Sequence, residues 1–301
     1  MHLFPRIGLA ITLSLLAIKG ALAADVPPLN SPATNESHPG KFIWADLFTD
    51  DTSAATAFYT GLFGWTATVI DRPTKDGTKP YTILHNGDRP VAGIYHRPTL
   101  LKDAAHGRWV GYISVPDVVA ALKAATDAGG KIVTHPKKLV DRGEQGVFAD
   151  SDGALVGVMH SGSGDPGEYL ADPGDWVWAE LFARDPVQAG KAYGQIAGYE
   201  CQPDNRTPRP DDSILISGGF SRASILPLPN KPKAHAAWLF FVRVANVKEA
   251  TEKAVKLGGR VAVAPDDSQG QGWRAVVVDP AGVHIGLLEL PAAPAKKDEA
   301  P

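Results

Sequence analysis

"FIWADLFTDDTSAATAFYTGLFGW", residues 42 to 65, returns later in the chain as "WVWAELFARDPVQAGKAYGQIAGY", residues 176 to 199. Trp44 and Trp178, Asp46 and Glu180, Asp51 and Asp185, and Gly64 and Gly198 stand in register at one spacing of 134. A repeat of this length signals a duplicated structural unit. Each copy opens with the alternation of large and small residues that suits a strand. An aspartate able to cap a helix follows, then an apolar stripe at i, i+3, i+4 and i+7, then a glycine that supplies a left-handed stop. In the first copy the stripe is Ala55, Phe58, Tyr59 and Leu62. In the second, Pro186 takes the favoured first helical position and leads Ala189, Ala192, Tyr193 and Ile196.

The helix signature occurs twice more. Asp117 precedes Val118, Ala121, Leu122 and Ala125, with Gly129 at the end; Asn246 precedes Val247, Ala250, Ala254 and Leu257, with Gly258 at the end. Strand-like runs stand before these helices, as in "RWVGYISV" and "AWLFFVRV". Short runs follow all four, among them "YTILHN", "VAGIYH", "SILIS" and "ASILPL". The chain reads as four units of strand, helix and three strands, grouped in two halves.

With 301 residues, 44% hydrophobic and 21% charged, the chain has the composition of a globular protein and the length for two domains of about 120 residues. Residues 1–23 read as a secretory signal peptide: Arg6 precedes an apolar run from Ile7 to Ile18, and Ala21-Leu22-Ala23 offers a cleavage site. That run is too short for a membrane span, which needs about 20 apolar residues. The expected mature protein is exported, periplasmic or extracellular, cleaved after Ala23 and free of the membrane. Loss of Arg6 and Lys19 moves the formal charge from −3 to −5, which speaks against a nucleic-acid partner. The single cysteine, Cys201, forms no internal disulfide, so stability rests on packing. Residues 24–40 and 162–173, rich in Pro, Gly and Ser, read as a flexible leader and a linker, and residues 291–301 as a frayed tail.

Trp44 to Phe48, "AFYTGLFGW", "VAGIY", "WVGYISVPDV" with "AGGKI", and "DSDGALVGV" together resemble the vicinal oxygen chelate superfamily, also called glyoxalase/bleomycin resistance/dioxygenase proteins, in its tandem two-domain form. The resemblance covers 41–161 and 174–290. It implies an α+β fold in which paired βαβββ modules form a curved mixed sheet around a cleft, one cleft per domain, with a divalent metal inside. The ligand places implied by the resemblance fall on Trp44 and Trp178 in the first strands, Gly157 and Gly286 in the closing strands, and Val110 and Leu239 in the opening strands of the second modules. Indole nitrogen is only a donor and glycine has no side chain, so no metal and no cofactor is expected. A two-residue slip of register would instead bring Asp46 or Glu180 to the ligand place.

If Trp44 and Trp178 face the clefts, strand parity sends Asp46, Phe48, Glu180 and Phe182 there with them. It adds Tyr112, Ser114, Leu155, Gly157 and Met159 in one half, and Phe241, Arg243, His284, Gly286 and Leu288 in the other. Trp109 and Trp238 turn toward the helices. The expected ligand-binding residues are therefore Trp44, Asp46, Tyr112, Ser114, Trp178, Glu180, Arg243 and His284, a few polar groups among apolar walls suited to a small organic molecule. Glu180 needs a cation and Arg243 is its candidate partner; Tyr112 and Ser114 are candidate donors to Asp46. The glycines at 157 and 286 are expected to leave room in the clefts. No catalytic residue stands out, although Glu180 or Asp46 has the chemistry of a general base. A metal-dependent lyase, isomerase or dioxygenase and a non-catalytic scaffold remain the competing readings. His85, His96, His106, His135 and His160 lack metal-site spacing, Cys201 lacks a partner pattern for nucleophilic work, and Asn35-Glu36-Ser37 is a glycosylation sequon. Oligomeric state is not legible.

Overall fold

A computed structural model describes residues 26–74, 77–97, 107–207, 209–230, 234–268 and 272–290. The segment expected to be a signal peptide, the expected tail and His106 lie outside these residues. The first domain runs β1 (Phe42–Thr49), α1 (Thr52–Phe63), β2 (Thr66–Thr74), β3 (Gly77–Asn86), β4 (Arg89–His96), then β5 (Gly107–Ser114), α2 (Val118–Asp127), β6 (Lys131–Leu139), β7 (Gly143–Ala149) and β8 (Leu155–Ser161). The second repeats it as β9 (Trp176–Ala183), α3 (Pro186–Ala197), β10 (Glu200–Pro203), β11 (Ser213–Ser217), β12 (Phe220–Pro227), then β13 (Ala237–Arg243), α4 (Val247–Lys256), β14 (Arg260–Asp266), β15 (Arg274–Val278) and β16 (His284–Leu288). These are the four units expected from the repeat.

Local chemistry sets the helix boundaries. The side chains of Asp51, Asp117, Asp185 and Asn246 each accept from the third backbone N–H beyond them, at 2.8 to 3.0 Å. Gly64 and Gly198 close α1 and α3 with φ of 74° and 71°, a left-handed turn that costs glycine nothing.

Each domain is one eight-stranded sheet with the same order, β2-β3-β4-β1-β5-β8-β7-β6 and β10-β11-β12-β9-β13-β16-β15-β14. The two modules of a domain join through an antiparallel pair, β1 with β5 and β9 with β13; β1 is parallel to β4, and β5 to β8. Trp44 lies opposite Tyr112 and Trp178 opposite Phe241, so these pairs share a face, as parity requires.

The four helices lie between the two sheets, α1 against α4 and α2 against α3, and the apolar backs of both sheets form one continuous core. Trp109 and Trp238 point into it. The Trp109 indole donates to Tyr59 Oη at 3.0 Å and Tyr59 donates to Asp279 Oδ2 at 3.0 Å; the Trp238 indole donates to Tyr193 Oη at 2.9 Å and Tyr193 donates to Asp150 Oδ2 at 3.2 Å. Each tyrosine thus ties its helix to a turn of the other domain. Tyr59→Phe removes the hydroxyl that links Trp109 to Asp279, stranding a buried indole N–H and weakening the support of Asp279. It should cost about 1–3 kcal/mol in a urea titration.

Two segments expected to be loose are packed. Val26 and Leu29 are buried in the concave face of the first sheet, beside Trp44, Tyr81 and Tyr112. Ser163, Asp165 and Asp175, in and beside the linker, are buried too. Leu29 N donates to Ser163 Oγ at 3.0 Å, Asn30 Nδ2 to Gly164 O at 2.8 Å, and Thr34 N to Ser163 O at 2.8 Å. A composition poor in long apolar runs and rich in Pro, Gly and Ser favours an open chain but does not prevent two such segments from satisfying one another's backbone groups.

Candidate functional site

The two concave faces carry equivalent strands and different contents. In the first, Asp46 is buried, and its Oδ1 accepts from Trp44 Nε1 at 2.8 Å and from Tyr81 Oη at 2.8 Å, with a further bond from Tyr112. Gly93 opposite makes this possible: a Cβ there would lie 1.8 Å from the Tyr81 hydroxyl oxygen. Burial pushes the Asp46 carboxyl up from its ordinary range, opposed chiefly by the charge of Arg142. Arg142 is 1% exposed, lies 4.0 Å from the centre of the Trp44 ring, and donates from Nε to Pro27 O at 2.6 Å. Neither Arg142 nor Pro27 was singled out by the sequence.

Ser114, expected beside Asp46, instead donates to Asp165 Oδ2 at 2.6 Å, because it ends β5 where the linker crosses. Of the four residues expected here, Trp44, Asp46 and Tyr112 are brought together and Ser114 is not. All are sealed from solvent.

The second concave face is open, with a cavity of about 390 Å³. Trp178, Glu180 and Phe241 line it as parity predicted, joined by Leu288 and by Arg206, Arg209 and Arg274. Glu180 is buried and accepts from one nitrogen of Arg274 with both oxygens, at 2.8 and 2.9 Å. Burial pushes its carboxyl up; Arg274 and Arg209 oppose that shift, and Asp212 adds to it. The Arg274 side chain is 31% exposed and its guanidinium lies 4.9 Å from the Phe241 ring centre. On the other wall Arg206, gripped by Asp204 through two bonds of 2.8 Å, lies 5.4 Å from the Trp178 ring centre. Arg209 pairs with the buried Asp212 at 2.9 Å.

Arg243 is not the partner of Glu180. Glu180 lies opposite Leu239, and Arg243 is four residues further along β13, about 13 Å at 3.3 Å per residue. Its guanidinium donates to Ala171 O, within the linker. His284 is exposed at the start of β16, outside the residues lining the cavity. Strand parity names a face and leaves open the distance along it. The partner Arg274 comes from β15, where Arg274 faces Leu288 as Gln145 of β7 faces Met159 in the first domain. The equivalent strand position therefore carries no charge in the first half, and Arg142, three residues earlier, supplies the cation there.

The glycines do not leave space. A Cβ on Gly157 would meet the Tyr112 ring at 2.3 Å, and one on Gly286 the Phe241 ring at 2.2 Å. Each glycine is the bed on which an aromatic ring of the neighbouring strand lies flat.

Residues 41–158 match the family profile described as glyoxalase/bleomycin resistance protein/dioxygenase superfamily, and residues 177–288 match the glyoxalase-like domain. The chain belongs to this superfamily. It is 31% identical over 274 residues to the anthracycline biosynthesis protein DauV of Streptomyces sp. strain C5, covering 87% of this chain and 98% of that protein. DnrV of Streptomyces peucetius, also named an anthracycline biosynthesis protein, is 30% identical over 84% of this chain and 94% of its own length. Among solved structures, the Mn(II)-bound glyoxalase from Novosphingobium aromaticivorans superposes with a TM-score of 0.54 at 16% identity over 84% of this chain and 83% of that one. The 2,3-dioxygenase LapB from Pseudomonas sp. KL28 gives 0.55 at 16% identity, over 89% and 97%. At those identities the likeness is one of fold.

This superfamily member does not present a metal-binding donor set at the places its resemblance indicates. Trp44 directs its N–H at Asp46, Gly157 and Gly286 lie beneath rings, and Val110 and Leu239 are aliphatic. Among the described residues no three His, Cys, Asp or Glu side chains group in a way that could hold an ion. A divalent cation needs several oxygen, nitrogen or sulfur ligands converging on a point, and these residues do not fit one.

Proposed function

We propose that this chain binds a small organic molecule in the cavity of its second domain, without the metal used elsewhere in the superfamily, and that it does so after export. The reading is carried by the contrast between two equivalent faces. One is filled by the protein's own groups, whereas the other holds an open cavity with Trp178 and Phe241 on its walls and an ion pair at its floor. The ligand this suits is flat and largely apolar, stacking on the rings and presenting acceptor oxygens to Arg274 or Arg206. The names of DauV and DnrV, attached to the making of polycyclic aromatic compounds, agree with such a shape. Export is supported by the anatomy of residues 1–23, and amino-terminal sequencing of secreted protein should begin at Ala24.

Thermal shifts against a panel of hydroxylated polycyclic aromatics test the site. At least one compound should raise the melting temperature of the wild type, and Trp178→Ala should weaken its binding by about 1–3 kcal/mol, roughly 5- to 150-fold. A binder whose affinity is untouched by Trp178→Ala would place the ligand elsewhere. Metal analysis of protein purified without chelators should find no stoichiometric divalent ion; one ion per domain would overturn the metal-free reading.

Glu180 also supports a catalytic version of the same site. A buried carboxylate whose proton affinity is raised, and which Arg274 holds in position, can take a proton from a bound carbon or oxygen acid. If it does, Glu180→Gln abolishes turnover of a bound compound while leaving its binding within a few-fold; loss of binding alone would assign the residue to ligand positioning.

A further inference from the structure

The first concave face is occupied by the chain itself. Val26 and Leu29 insert their side chains among Trp44, Tyr81, Ile83 and Met159, and both are nearly inaccessible to solvent. Between them Pro27 gives its carbonyl to Arg142 Nε. The segment is held from outside by the linker, through Leu29 N to Ser163 Oγ, Thr34 N to Ser163 O, and Asp165 N to Glu36 O at 2.9 Å. Further along, His38 N donates to Asp165 Oδ2 at 2.6 Å.

The arrangement has the form of a bound ligand: two apolar groups in aromatic pockets and one acceptor oxygen on a buried guanidinium. One donor is left over. Arg142 Nη2 is buried and has no hydrogen-bond partner, although leaving such a donor unpaired is costly. The segment thus satisfies one of the two outward-facing donors that a carboxylate would satisfy with its two oxygens. The arginine that meets the acid in the second domain, Arg274, is spent on Glu180, and among the described residues no segment covers it to the same extent.

We propose that residues 26–34 are an internal occupant of the first cleft, and that displacing them uncovers a second small-molecule site that takes an apolar carboxylate, its aromatic or aliphatic body in the places of Val26 and Leu29 and its oxygens on Arg142. The chain in its resting form then offers one open cleft, and the segment is a strap that a ligand must displace. Expected cleavage after Ala23 leaves the strap intact, with only Ala24 and Asp25 ahead of Val26.

The test uses the full mature chain carrying V26D/L29D and the probe 2-naphthoate. Burial of two aliphatic side chains holds the strap, so amide exchange at Leu29 and Thr34 should become at least about 100-fold faster in the variant. Calorimetric titration should find one more equivalent of 2-naphthoate bound than in the wild type, whatever number the wild type binds. A synthetic peptide of residues 24–36 should compete for that extra equivalent and Arg142→Met should abolish it. The difference isolates the first cleft, so failure of the second-domain site would lower both counts equally and leave the comparison intact. A strap that exchanges freely with no added equivalent overturns the proposal, as does a strap that stays protected when both anchors are charged. Should V26D/L29D not fold, V26A/L29A should show the same added equivalent with a smaller rise in exchange, and its absence there overturns the proposal equally.

Discussion

Arg142→Met should destabilise the protein by about 3–5 kcal/mol at neutral pH, the cost of leaving one member of a buried charge pair behind. Arg142 is the main counter-charge to the buried Asp46, and it also covers the face of Trp44. Methionine fills much of the same volume without a charge. The three neutral donors around Asp46 then have to hold a carboxylate that burial already disfavours. The loss should depend on pH in a definite sense. The folded-state pKa of Asp46 lies above its unfolded value, and removing Arg142 raises it further. Such a group favours the folded state below the unfolded pKa, and that contribution is lost as pH rises through the folded pKa. The gap between variant and wild type should therefore be largest near pH 7 and shrink as pH falls below the unfolded value, to about pH 3, where Asp46 is protonated in both states. Urea titrations at the two pH values measure this, with the exposed Arg184→Met as a control expected to change stability by no more than about 0.5 kcal/mol. A loss below about 1 kcal/mol at pH 7 would mean that the neutral donors suffice and that Arg142 is not needed as a counter-ion.

Gly157→Ala should cost about 3 kcal/mol, the upper part of the usual range for overpacking. The added methyl would sit 2.3 Å from the Tyr112 ring, and Tyr112 has nowhere to go: it is fully buried and its hydroxyl serves Asp46. Gly286→Ala makes an equally close contact, with Phe241 at 2.2 Å. There the ring borders an open cavity and has no polar tip to lose, so about 1 kcal/mol is expected. Its larger consequence should be functional, because Phe241 supports Arg274 and forms a wall of the cavity. Comparison of the two variants by urea titration tests whether the first cleft is a packed core and the second a site. Equal losses would contradict that division.

Strand parity read from the sequence put Trp44, Asp46, Trp178 and Glu180 on the concave faces and turned Trp109 and Trp238 to the helices, because side chains alternate with a period of two whatever surrounds them. The same reasoning misassigned Arg243 and Ser114. Parity names a face but not a neighbour, and on a curved eight-stranded sheet the residue that reaches across a cleft can come from any strand. Arg274 and Arg142 are such residues, separated in sequence from Glu180 and Asp46 by 94 and 96 positions. Internal symmetry did not reveal them either, since the two arginines occupy different positions in the two repeats.

What the sequence determined by itself was the duplicated unit, the four capped helices, the order of strands and the orientation of Trp44, Trp109, Trp178 and Trp238. All of these follow from local periodicity and short-range hydrogen bonding. Only the tertiary structure decided that one cleft is closed by Val26 and Leu29 and the other open, that the glycines bed aromatic rings, and which arginine meets which acid. Those outcomes depend on contacts between distant segments, where the energy comes from volume filled and charge neutralised in three dimensions and leaves no period along the chain.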